Sequence, residues 1–295
     1  IPEGNYGAGA VIVWDKGRWV PVEDPALGLE NGKLLFDLFG YKLRGRFTLV
    51  RTRRRGAREP SNEWLLIKKP DAFATSAPAS PLSVHSGRAV EARAAGETPE
   101  PALLRAATRA GATRKRVDLA EVRPMLATPW PEPFSSPEWL FELKYDGYRA
   151  LAAREDDGAR IVYRSGRDAT ARFPEIAAAL AVLPVTRAIF DGEVVVTGPE
   201  GRPSFARLQD RAQASAREAA RAAVESPAMY WIFDLLALGG LDLRPLPLRA
   251  RQALLERIVP PLGPLRLAPH WTGRGRDVYR EIEKLGFEGM VAKRS

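Results

Sequence analysis

Residues 141–150 read FELKYDGYRA, and the reading of this stretch decides the fold. Lys144 stands in an apolar, strand-like run, with Asp146, Gly147 and Arg149 close behind it. Two positions apart on a strand, Lys144 and Asp146 share one face. Gly147 removes a side chain where a ligand can come close. A solvated surface lysine needs no such company, whereas a lysine that attacks an electrophile does.

Three further segments carry acids in the same style. Asp191 and Glu193 lie two apart in FDGEVVV (190–196), at the edge of a β-branched run. Phe233 and Asp234 sit inside YWIFDLL (230–236), and Glu288 and Gly289 precede Met290, Val291 and Lys293. Taken singly, Asp191-Gly192-Glu193 reads as a turn, Phe233 as core and Glu288 as a residue entering a strand. Together they are harder to dismiss. Buried charges are costly unless paired or bound to a metal. Several carboxylates converging on one lysine suit a divalent cation and a phosphorylated ligand.

Composition limits the partners. The chain has 295 residues, enough for about two domains, and 45% hydrophobic residues. Lys and Arg number 45 against 36 Asp and Glu, a formal charge of +9. That excess favours a polyanion, nucleic acid before membrane. The chain has no cysteine, which excludes disulfides and thiolate metal sites and fits a reducing cytoplasm. No apolar run approaches the roughly 20 residues that span a bilayer. The two histidines, His85 and His270, lack a metal-ligand spacing partner and read as non-catalytic.

Three regions follow along the chain. Residues 1–74 read as a β-rich domain of short strands, a small barrel or sandwich, with two strands expected around the turn Asp15-Lys16-Gly17. Residues 75–120 are rich in Ala, Ser, Pro, Arg and Gly with no aromatics, and are expected to be a disordered linker in which ALLRAATRA fits a short helix. Residues 121–295 alternate strand-like segments (WLFELKYDG, ARIVYRSG, RAIFDGEVVVTG, AMYWIFDLLAL) with helical patterns (RFPEIAAALAVL, PSFARLQDRAQASAREAARAAVES, LRARQALLERIV, GRDVYREIEKLG). The class is α+β.

The order K-x-D-G-x-R, an arginine-bearing turn, D-G-E, an aromatic F-D strand and E-G-x-V-x-K resembles the nucleotidyltransferase superfamily. It looks most like ATP-dependent DNA ligases, and RPMLATPWPEPFSSPEWLFELKYDGYRA with EGMVAKR is similar to their bacterial end-joining ligase D branch. IPEGNYGAGAVIVWDKGRW, KLLFDLFGYKLRGRFTLVR and EWLLIKK resemble the C-terminal portion of that branch's phosphoesterase domain. The resemblance implies a partial phosphoesterase-like β domain over 1–74. Over 121–295 it implies an ATP-grasp-like adenylylation domain of antiparallel sheets flanked by helices. It implies Lys144 as the nucleophile that takes AMP. Glu142, Arg149, Glu193, Phe233 and Lys293 would join Lys144 in binding ATP, with Glu142 near the adenine, Glu193 on the ribose and Phe233 stacked on the base. Asp146 and Arg164 would meet DNA. Asp146, Asp191 and Glu288 would hold Mg2+ or Mn2+. The implied substrate is nicked or broken double-stranded DNA, the implied partner a Ku-type end-binding protein, and the implied setting the nucleoid in the bacterial cytoplasm.

One motif departs from the family: its S-R-N-G turn reads Tyr163-Arg164-Ser165-Gly166 here. Both ends look cut, so the chain as printed is expected to lack the family's OB fold and next lysine motif. It is therefore expected to bind nucleotide without sealing nicks alone, and to carry no phosphoesterase activity. The competing readings are an RNA ligase or capping-type nucleotidyltransferase, and a basic nucleic-acid-binding module with an incomplete site.

Overall fold

The structure, a computed structural model, describes residues 1–52, 62–156, 158–198 and 202–295. Part of the expected 1–74 domain, residues 53–61, thus lies outside the described residues. The chain divides into two compact units, one of Val13–Val84 and one of Ile1–Ile12 with His85–Ser295.

In the smaller unit, β1 (Gly17–Pro21), α1 (Pro25–Glu30), β2 (Lys33–Gly40), β3 (Arg44–Arg51) and β4 (Trp64–Lys68) follow one another. The strands make an antiparallel sheet in the order β1-β2-β3-β4. This sheet is open among the described residues, rather than closed into a barrel. Alternation places Leu34, Phe36 and Phe47 in one small core. Residues 10–16 form no strand. The Asp15 carboxylate is instead turned to the β2–β3 loop, accepting from the amides of Tyr41 (3.0 Å), Lys42 (3.1 Å) and Leu43 (2.9 Å). Asp24 caps α1 by accepting from the amides of Ala26 and Leu27, ahead of Pro25 in the first turn.

The larger unit begins with α2 (Val90–Ala94), α3 (Glu100–Arg109) and β5 (Thr113–Arg114). It continues with β6 (Trp139–Lys144), β7 (Tyr148–Glu155), β8 (Gly158–Tyr163), α4 (Pro174–Ala181) and β9 (Ala188–Val196). Then come α5 (Phe205–Gln213), α6 (Ala216–Glu225), β10 (Ala228–Leu238), β11 (Leu241–Asp242) and α7 (Leu248–Leu255). The chain closes with β12 (Leu265–Leu267), β13 (His270–Thr272), α8 (Gly275–Leu285) and β14 (Gly289–Arg294). The larger sheet runs β5-β11-β10-β9-β7-β8, with β12 parallel to β10, and the smaller runs β13-β6-β14. The long helical pattern of 203–226 breaks at Ser215, whose side chain and Glu218 form a capping box that starts α6.

The expected disordered linker is corrected. Leu103 and Ala107 on α3 are fully buried in the main core with Phe173, Ile176 and Leu243. Glu100 accepts from the amide (3.0 Å) and hydroxyl (2.8 Å) of Thr186, and β5 pairs with β11. Three positions at i, i+3 and i+7 are enough to seat a ten-residue helix, whatever the polar average of its surroundings. The unit that holds the 121–295 fold takes in the chain from His85, and the Thr98 hydroxyl adds a bond to the Pro184 carbonyl (2.8 Å).

Candidate active site

Lys144 is the last residue of β6, the central strand of the small sheet. Its backbone faces Gly289 at the start of β14, which brings Glu288 alongside, and the Lys144 ammonium is ion-paired with the Glu288 carboxylate. Both side chains are about half exposed, at 49% and 43%. The nucleophile candidate is therefore reachable from solvent and neutralised by a group the sequence pattern also singled out.

Glu142, on the same face of β6 two residues earlier, is 2% exposed. Its Oε2 accepts from Lys293 Nζ at 2.5 Å, and its Oε1 accepts from Gln252 Nε2 at 3.1 Å. Burial raises its carboxyl above the ordinary range, against the pull of Lys293. Sequence reading missed Gln252. Its only signal there was a polar residue on the apolar stripe of α7.

Phe233 owes its direction to an irregularity. In the pairing of β10 with β9, Ile232 faces Gly192 and Asp234 faces Asp191, so Phe233 is skipped as a bulge. Bulges re-aim side chains, and they favour functional sites. The Phe233 ring lies 4.4 Å from the Arg149 guanidinium carbon and 3.9 Å from Lys293 Nζ. Asp234, beside it, is held by a two-pronged bond from Arg251 (2.7 and 2.8 Å).

Arg149 on β7 also reaches β9, donating from Nε and Nη2 to both oxygens of Asp191 at 2.6 and 2.8 Å. Asp191 is 5% exposed. With both oxygens committed to a planar guanidinium, it does not fit the expected role of metal ligand. The next outward carboxylate, Glu193, is partly buried, and its pKa is pushed up to about 7. Burial is the chief cause. Arg149 and Lys144 oppose it, while Asp191 and Asp146 add to it. The two acids, two bases and Glu193 thus share one electrostatic neighbourhood.

Gly147 is corrected in its role. A Cβ there would strike the Val194 carbonyl and the Glu193 side chain, so the glycine lets the loop after Lys144 lie against β9 rather than opening space for a ligand. Tyr145 in that loop stacks on Trp231 of β10 (4.8 Å, 18° between planes) and anchors it. Asp146 is exposed beside it. Arg164 is exposed in the turn closed by the Gly166 amide on the Tyr163 carbonyl (2.7 Å), and its own amide donates to the Arg149 carbonyl (3.0 Å). His270 lies on β13 opposite Glu142. Among the described residues, no three His, Asp or Glu side chains assemble as a metal-holding group, and no helix is long and apolar enough to cross a membrane.

Residues 124–295 match the family of the ATP dependent DNA ligase domain, and residues 1–51 match the DNA Ligase D 3'-phosphoesterase domain. The multifunctional non-homologous end joining protein LigD of Pseudomonas aeruginosa is 39% identical over all of this chain and 34% of its own length. The LigD of Mycobacterium tuberculosis is 28% identical over all of this chain and 31% of its own length. The chain thus spans about a third of the curated relatives it matches. A structure of mycobacterial DNA ligase D complexed with ATP and MES superposes with a TM-score of 0.51 at 32% identity, covering 60% of this chain and 56% of that one.

Proposed function

The chain belongs to the ATP-dependent DNA ligase family, and from that premise we propose that Lys144 takes AMP from ATP and passes it to a DNA 5′-phosphate for strand sealing. The observation that carries this reading is the convergence on one strand end. Lys144 meets Glu288, Glu142 is buried on its face, and the Phe233 bulge lies under Arg149 and Lys293.

The chemistry runs in three transfers. The Lys144 amine, freed of a proton, forms a bond to the α-phosphorus as the bond to pyrophosphate breaks. The AMP then moves to the DNA 5′-phosphate, releasing the lysine. A 3′-hydroxyl attacks that phosphate and expels AMP. Lys144 emerges unchanged. Phe233 offers a ring for the base, now covered by Lys293; Glu142 stands at the base edge; Glu193 is the acceptor for the ribose; and Arg149 holds the nucleotide from the β7 side. Arg164 and Asp146, both exposed, face the DNA end.

The residues fit a divalent cation in part. Asp191 is closed to it by Arg149, whereas Asp146 is an exposed carboxylate and Glu288 a half-exposed one that would exchange its Lys144 partner for a metal, and Mg2+ commonly takes one or two carboxylates with the rest of its shell from phosphate and water. Bound there, Mg2+ or Mn2+ supplies charge neutralisation at the transferring phosphate.

The relatives' name places them in end joining. We extend to this chain repair of double-strand breaks in the bacterial cytoplasm, at the nucleoid, with a Ku-type end-binding partner. The matches do not favour an RNA ligase or capping-type reading. A sealing assay on the full gene product tests the proposal, using ATP, Mg2+ and duplexes nicked in DNA or in RNA. DNA nicks bearing a 5′-phosphate are expected to close; closure of RNA nicks alone, or of neither, overturns it.

A further inference from the structure

Gln252 enters the site cluster from α7, next to Arg251. It is 4% exposed. It spends its amide nitrogen on Glu142 Oε1 (3.1 Å), while its Oε1 is buried with no hydrogen-bond partner. The Tyr145 hydroxyl, near enough to Glu142 to feel its charge, is buried and unpartnered as well. Buried polar atoms without a partner are costly, and each one calls for an explanation.

Lys293 explains why Gln252 matters. Its ammonium is both the other donor to Glu142 and the cation on the Phe233 ring. A base stacked on Phe233 takes the position of that ammonium, so Lys293 has to leave Glu142 when nucleotide enters. Among the described residues, Gln252 is then the remaining side-chain donor to the Glu142 carboxylate.

We infer that Gln252 is a specificity-determining positioning residue that fixes Glu142 as an acceptor for an exocyclic purine amine, with its own spare oxygen as a second acceptor beside it. The inference rests on the ATP-site reading above. A base with an amine at that edge donates into two acceptors. A base with a carbonyl there meets two acceptors with a third, and a base with hydrogen there leaves both unpaired. Sites built on such buried polar groups discriminate strongly against the analogue that cannot pair.

The test measures binding of ATP, GTP and purine riboside triphosphate, which lacks the amine, by calorimetry. The proteins are the chain and its Gln252→Met and Gln252→Glu variants, with thermal midpoints recorded for each. The unaltered chain is expected to prefer ATP over purine riboside triphosphate by ~10-fold or more. Gln252→Met, close in shape and without either polar group, is expected to bring that ratio to within about threefold. Gln252→Glu, which sets a carboxylate against Glu142, is expected to do the same, so either folded variant suffices. A merely structural role for Gln252 weakens all three nucleotides alike and leaves the ratio intact, and that outcome overturns the inference while the ATP site stands. If the unaltered chain binds no nucleotide, the ATP-site reading falls and takes this inference with it.

Discussion

At the scale of single residues, the site is a set of cation–carboxylate pairs whose members have different exposures, and exposure decides what each can do. Asp191 is locked to Arg149 in a two-pronged bond and is nearly inaccessible, so its work is to hold β7 to β9. Asp191→Asn is therefore expected to cost stability, about 1–3 kcal/mol in a urea titration, because it strips a partly buried guanidinium of its partner. An unchanged stability with lost Mn2+ binding would restore the metal role. Glu193 behaves differently. Burial raises its pKa from 4.5 to about 7, so between those values the folded chain keeps a proton that the unfolded chain releases. Stability then falls as pH rises through that window. At about 1.4 kcal/mol per pH unit, and allowing for partial exposure, the loss is about 1–3 kcal/mol. Glu193→Gln is expected to flatten this part of the stability–pH curve in metal-free buffer. Parallel curves for the two proteins would show that Glu193 is not the titrating group.

At the scale of elements, three devices place these residues: the end of β6 at Lys144, the β10 bulge at Phe233 and the docking of α3 and α7. Leu103 on α3 has no exposed surface, so Leu103→Ala is expected to destabilise the larger unit by about 2–5 kcal/mol in chemical denaturation. No effect would return residues 100–109 to the status of a tether. The contrast shows what the sequence reveals and why the rest stays hidden. The strand of Lys144, the β9 acids and the helices of the 121–295 region are readable because period-2 and period-3.6 apolar patterns persist over many residues. The docking of α3, though not the helix itself, is hidden because its buried stripe is only Glu100, Leu103 and Ala107. Gln252 is hidden because its partner Glu142 lies 110 residues away in the chain. The Phe233 bulge is hidden because pairing register is set jointly by β9 and β10. The Asp191–Arg149 bond is hidden for a similar reason: strand alternation shows which residues share a face, but not which of them pair.

At the scale of the whole chain, the proposed DNA substrate would meet a +9 charge, and phosphate contacts made by such a chain release counterions. DNA affinity is expected to fall linearly with salt on logarithmic axes, with the same slope for duplexes of unrelated sequence, as fluorescence anisotropy can measure. A salt-insensitive or sequence-selective titration contradicts a backbone-led mode of binding. The account as a whole depends on one covalent bond. The direct measurement is peptide mass mapping of the full gene product after incubation with ATP and Mg2+, beside its Lys144→Ala variant. The account predicts AMP on the peptide that holds Lys144 and none on the variant; AMP on another lysine, or an adduct that survives in Lys144→Ala, contradicts it.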